Sequence, residues 1–314
     1  MRRTLLAPVA ALLAACEAAP PPPASAPVPD APAPRPAVVA QGPSAESRNA
    51  AAFYRRVEAR LLEEGYLRRD GGGADVRFDA ATLARNFERI ALFSEYTLVG
   101  SRYVAQQSPA KLRRWPGPVR IQLHFGDSVP QTTRDRDTQS IRSYVARLAR
   151  LTGHPISLVA SGGNYHVFVA SLDEQRALGP AISRAEPALS RATIREITSL
   201  DRSTYCAVYA SSSSTRPNAY ISAISLIRSE HPDLMRLSCY HEEIAQGLGL
   251  ANDSPAARPS IFNDDEEFAL LTGHDALLLR MLYDDRLSIG MSAEEARPLI
   301  GQIAREVTGG GGPV

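Results

Sequence analysis

Long apolar runs, lysine and cysteine are all scarce in this 314-residue chain, and each shortage excludes something. The most apolar stretch, LLAPVAALLA at 5–14, falls well short of the roughly 20 residues that a bilayer-crossing helix needs. A single lysine, Lys111, stands beside 34 arginines, and the net charge is +1. The basic pairs at 55–56, 68–69 and 113–114 are scattered and carry no interleaved aromatics, so no nucleic-acid partner is expected. Of the three cysteines, only Cys206 and Cys239 fall in the body of the chain. A zinc centre built on two cysteines normally needs two further Cys or His ligands close by, and none is suitably spaced. Gly-x-Ser-x-Gly is also missing, and the serine run at 211–214 reads as a loop tip rather than a nucleophile.

What is present begins with an address. A basic MRRT, the short apolar run and LAAC ending at Cys16 read as an export signal over residues 1–16. Leu13-Ala14-Ala15-Cys16 resembles the lipobox of bacterial lipoproteins. That resemblance implies cleavage before Cys16, lipid on its sulfur, and a domain held at the cell envelope facing the periplasm; an ordinary signal peptide ending near Ala15 or Ala19 is the other reading. Residues 17–45 contain ten prolines and almost nothing that could build a core, which makes them a stiff spacer. In an oxidising compartment the Cys206/Cys239 pair is expected to form a disulfide, with free thiols or a metal site as alternatives.

The remainder divides at the composition shift near WPGP (115–118). Residues 46–117 read as an N-terminal helical segment. One helix covers 46–64, with Phe53, Val57 and Leu61 four apart, and another covers 80–93 with Asp79 as N-cap. From 118 to 306 the elements alternate: a strand at 119–125, a helix at 137–153, strands at 156–160 and 165–170 joined by the tight-turn signal SGGN, weakly helical 181–197, strands at 205–210 and 219–227, and a helix carrying CYHEEIAQGLGLAND. Residues 307–314 read as a flexible tail.

On that last helix, Leu237, His241, Ile244 and Leu248 fall in one stripe at 100° per residue. Three of the four are aliphatic, so the stripe faces the core and His241 is expected to be buried and hydrogen-bonded there. Cys239, Glu242, Glu243, Gln246 and Gly249 lie on another flank, with Glu242 and Gln246 at the i, i+4 spacing that lets two groups meet one ion.

The element order, the helix with its Gly249, and PSIFNDDEEFALLTGHDALLLRMLYD at 259–284 together resemble the metzincin zinc peptidases, in particular the matrixin branch. The chain is also similar to an uncharacterised family of exported proteobacterial proteins that share Glu-Glu-x-x-Gln-x-x-Gly and the SIFND turn. The metzincin resemblance implies an α+β zincin fold: a mixed five-stranded sheet, a backing helix and a cleft helix, here preceded by the N-terminal helices. In the register of Gly249 it places Glu242 at the first ligand position, Glu243 at the general base, Gln246 at the second ligand and Asn252 at the third. Asp253 follows next to it, Phe262 stands where the family has its turn methionine, and the resemblance implies Glu242, Gln246, Gly249, Asn252, Asp253 and Phe262 as cleft residues. Neither helical ligand position holds histidine. A carboxylate and two amide oxygens suit a weakly held hard cation better than zinc, so no zinc cofactor is expected. Without the metal there is no agent to lower the pKa of a bound water. The expected function is therefore a non-catalytic module that binds a peptide or envelope protein along an edge strand at 205–210. The alternative is an atypical, peptidase-like hydrolase using Glu243 as general base.

Overall fold

Ser44 opens the first helix, its side chain accepting from the Ser47 amide, and α1 then runs Ala45–Glu63. The computed structural model describes residues 42–309, apart from 74, 100, 101 and 264. The export signal, Cys16 and most of the proline-rich stretch lie outside the described residues. Asp79 caps α2 (Ala80–Ala91) as its position predicts, accepting from the Thr82 amide. A hairpin follows, β1 (Phe93–Val99) with β2 (Arg102–Pro109), paired antiparallel. It lies in the segment expected to be helical throughout. FSEYTLV gives a weak alternation, and the pairing that stabilises a strand is not visible in one segment alone.

The body comprises β3 (Val119–Phe125), α3 (Gln131–Thr152), β4 (Ile156–Val159), β5 (Tyr165–Ala170), α4 (Leu172–Gln175), α5 (Gly179–Ala185), α6 (Arg191–Ser199), β6 (Cys206–Ser213), β7 (Arg216–Arg228) and α7 (Asp233–Gln246). Two helices close the chain, α8 (Gly273–Leu282) and α9 (Ala293–Val307). The sheet is five-stranded in the order β4-β3-β5-β7-β6, with β6 antiparallel at one edge and the other neighbours parallel. The architecture is thus mixed α/β around a five-stranded mixed sheet. Among the described residues no helix is long and apolar enough to cross a membrane.

Three local expectations need correction. The SGGN turn does not make a hairpin: β4 and β5 lie on opposite sides of β3, both parallel to it. The serine run is not a loop tip, because β6 continues through Ser213 with two register shifts and turns only beyond it. Helix α3 starts at Gln131 rather than 137. Its first turns are polar and carry no apolar periodicity, and its entrance is held by the Arg134 guanidinium, which donates to the Val129 and Gly126 carbonyls.

Strand alternation sorts the core into two layers. Tyr165, Val167 and Val169 point into the main core with Ile141, Tyr144, Tyr240 and Ile244 from α3 and α7. Phe168, Ala170, Ile224 and Leu226 point the other way, onto Ile182 of α5 and Ile197 of α6. Helices α2, α8 and α9 share the main core, while Tyr54 and Val57 of α1 pack with Met235 and Ala269.

Two buried arginines position the parts that matter for the site. Arg236 on α7 is held by Asp137 of α3 (Nε to Oδ2 2.7 Å), and the Tyr240 hydroxyl donates to the same carboxylate oxygen at 2.9 Å. Burial holds the Tyr240 phenol far above its ordinary pKa, with Asp137 adding to the effect. Removing one partner of a buried ion pair strands the other charge. Asp137→Asn is therefore expected to cost about 3 kcal/mol, measured by urea unfolding. Arg228 of β7 is equally buried, but its donors go to the Thr204, Leu200 and Asp201 carbonyls and to Gln175 Oε1. A single guanidinium thereby fixes the loop that enters β6.

Candidate functional site

Helix α7 starts after Pro232 and ends at Gln246. Side chains from three other segments donate to carbonyls of its last turn and exit, the Glu243 carbonyl also accepting from the Gly247 amide. The Tyr165 hydroxyl donates to the Glu243 carbonyl at 2.5 Å, Trp115 Nε1 to Gly247 at 2.8 Å, and the Tyr283 hydroxyl to Leu248 at 3.1 Å. Just beyond, Gly249 adopts φ +132°, and a Cβ there would lie 2.2 Å from the Arg113 carbonyl oxygen. Only glycine fits that backbone and that approach. The end of α7 is therefore rigidly placed against the segment leading into β3.

His241 is turned to the core, as its stripe predicts. Its ring stacks on Tyr144 at 3.9 Å between centroids, and Nδ1 accepts from the Leu271 amide at 3.0 Å. Burial, reinforced by Arg147, pushes its pKa down to about 3, so it is a neutral acceptor.

The opposite flank opens on a groove of about 540 Å³. One wall is Tyr205–Ala210, the start of β6. The floor is Glu242, Glu243 and Gln246 of α7 with Asp253 beyond it, and Ser94, Arg113, Glu196, Ser203, Thr204, Tyr220 and Glu266 are among the other lining residues. Glu243 is almost completely buried at 4 % exposure. The Gln246 amide donates to Asp253 Oδ1 at 3.0 Å. A disulfide joins Cys206 of β6 to Cys239 of α7, as expected from an isolated cysteine pair, and ties the edge strand to the floor helix.

The structure thus brings together Glu242, Glu243, Gln246 and Asp253, and departs from the sequence reading at three positions. Asn252 does not join them: its amide donates to the Arg89 and Asp253 carbonyls, away from the groove lining. A one-residue step along an irregular exit loop reverses side-chain direction, so Asp253 takes the place beside Gln246. Phe262 is a fully buried member of the main core rather than a lining residue. Gly249 shapes the groove through the backbone and does not line it. The sequence reading missed Ser94, Arg113, Glu196, Glu266, Ser203 and Thr204. They come from distant segments, and no local motif marks them.

The zinc centre implied by the metzincin resemblance can be tested against these donors. Cys206 Sγ and the Glu242 and Glu243 carboxylates lie within 4.8 Å of one another. Cys206 is committed to the disulfide, Gln246 is bonded to Asp253, Asn252 is turned away, and His241 faces the core. The groove lining contains no imidazole among the described residues. With its disulfide closed, the site does not fit a zincin zinc ion.

His274 caps nothing itself. Thr272 and Asp275 form the capping box of α8, and the buried His274 ring meets Asn86 Nδ2 at 3.0 Å through Nε2. Asp275 also accepts from Ser260 Oγ and the Ile261 amide, which anchors the SIFND turn.

A family model described as a protein of unknown function (DUF2927) matches residues 80–302, from the start of α2 into α9. No curated protein and no solved structure is similar enough to match. With some seven-tenths of its length inside that match, the chain belongs to the DUF2927 family of proteins of unknown function.

Proposed function

We propose that the chain is an envelope-anchored, non-catalytic binding module with a zincin-like scaffold, which holds an extended peptide segment along β6. One observation carries this reading: the groove runs beside the antiparallel edge strand of the sheet and is floored by Glu242, Glu243 and Gln246 of α7. An edge strand offers backbone donors and acceptors to a peptide that adds as a further strand. The described lining carries five carboxylates, on Glu196, Glu242, Glu243, Asp253 and Glu266, against one guanidinium, Arg113. That charge favours a peptide with basic side chains. Lipid on Cys16 and the proline-rich stretch, as the lipobox resemblance implies, would hold the groove off a bacterial membrane. Without histidine at the ligand positions, Glu243 has no polarised water to deprotonate, so a bound peptide is expected to leave intact.

The test is fluorescence anisotropy of extended peptides with Arg or Lys at alternate positions, alongside acidic and scrambled sets. Basic peptides are expected to bind, to be recovered uncut, and to weaken at least about ten-fold with Glu242→Lys, roughly the effect of losing one close charge pair. Cleavage that disappears in Glu243→Gln would instead establish the hydrolase reading. Equal binding of acidic and basic sets would reject the charge argument.

A further inference from the structure

The disulfide that ties β6 to α7 lies beside two carboxylates of the groove floor. Cys239, Glu242 and Glu243 stand at i, i+3 and i+4 on one helix, the spacing that places side chains side by side over a single turn. Cys206 reaches the same spot from the edge strand, with its sulfur within 4.8 Å of both carboxylates. A buried imidazole stands behind them. His231 Nδ1 lies 3.7 Å from Cys239 Sγ, and its Nε2 has no partner among the described residues. Arg228 and Arg236 both face that ring, and Tyr54 and Tyr205 pack on it edge-on.

We propose that reduction of Cys206–Cys239 converts the groove floor into a site for a thiolate-seeking divalent metal ion of the zinc class, ligated by Cys206, Cys239 and the Glu242 and Glu243 carboxylates. The reductant is a dithiol: its two sulfurs form a disulfide and give two electrons and two protons, the Cys206–Cys239 bond breaks, and two thiols result. Binding of the ion then displaces the two thiol protons to solvent. Two thiolates with carboxylate oxygen match the soft-to-borderline preference of zinc, which the oxidised floor, with carboxylates alone, does not. The proposal rests on the geometry of the groove floor and not on peptide binding there; an ion at that place would close the floor end of the groove, making the two modes exclusive.

The experiment uses the full chain, reduced with dithiothreitol, freed of reductant under anaerobic conditions and titrated with Co²⁺, with an oxidised sample in parallel. The expected result is one Co²⁺ per reduced chain, a sulfur-to-cobalt charge-transfer band, displacement by Zn²⁺, and neither band nor stoichiometric binding in the oxidised chain. Glu242→Gln and Glu243→Gln should each weaken the reduced site at least about ten-fold. Equal binding by oxidised and reduced chains would overturn the proposal. So would a sulfur band that is indifferent to both glutamine variants, since two loosened thiols would then suffice. Peptide titration of the oxidised sample reads the binding-module proposal separately, and neither result decides the other.

Discussion

Acidification from about pH 6.5 to about pH 4.5 is expected to remove about 5 kcal/mol of stability, most of it through two buried histidines. Burial pushes the pKa of His231 down to about 3, with Arg228 and Arg236 adding to the effect. His241 is pushed to about 3 by burial and Arg147, with Asp275 opposing. In the unfolded chain both return to the ordinary value near 6.5. Between those values the unfolded state binds the extra protons, so stability is full above the unfolded pKa and is lost as pH falls toward the folded one. Each histidine contributes a slope of about 1.4 kcal/mol per pH unit in that window. Urea midpoints at three pH values measure it. His241→Gln, which keeps an acceptor for the Leu271 amide, should remove about 1.4 kcal/mol per pH unit from the slope; a flat profile through the window would show that neither ring is held neutral.

Gly249→Ala is expected to destabilise the fold by about 4 kcal/mol, through backbone strain at a positive φ and a collision with a neighbouring carbonyl. With φ at +132° and the new methyl 2.2 Å from the Arg113 oxygen, the exit of α7 and the start of β3 cannot both keep their places. Arg113 lines the groove, so the damage reaches the site as well as the core. Thermal unfolding should fall by about 10 °C for a domain of this size. Gly117→Ala is the control: nothing lies within 4 Å of its would-be Cβ, and it should change little. A Gly249→Ala protein with an unchanged midpoint would contradict the close approach.

These two predictions show what was legible in the sequence. The stripe of Leu237, His241, Ile244 and Leu248 gave the direction of His241, because helical periodicity alone decides which way a side chain turns. Asp79 as the cap of α2 and the end of α3 at Gly153 were equally local signals and appear where they were read. The register of Gly249 was readable as a sharp turn, but the reason only glycine serves there, the Arg113 carbonyl, comes from a segment 136 residues away. Asn252, read as the third ligand, turns away while Asp253 lines the groove, because a loop has no period from which to infer direction. Phe262 was taken for a lining residue on family resemblance, whereas its apolar ring belongs to the main core. Glu196, Glu266 and Arg113 could not be found at all, since their place in the groove is set by the sheet order β4-β3-β5-β7-β6 and not by any neighbour in sequence.

The groove is held in place from several directions. Its floor is rigidly held by Tyr165, Trp115 and Tyr283, its wall is cross-linked through Cys206, and Arg228 fixes the loop entering β6. A site braced from so many directions suits recognition, where preorganisation limits the entropy lost on binding.

The most direct test is hydrogen exchange of the β6 backbone with and without a bound basic peptide. Strand addition predicts that alternate amides of 206–213, those pointing away from β7, slow at least about ten-fold on binding while the β7-paired amides change little. Binding with no change in those amides would contradict it, and the groove would then hold its ligand by side chains alone.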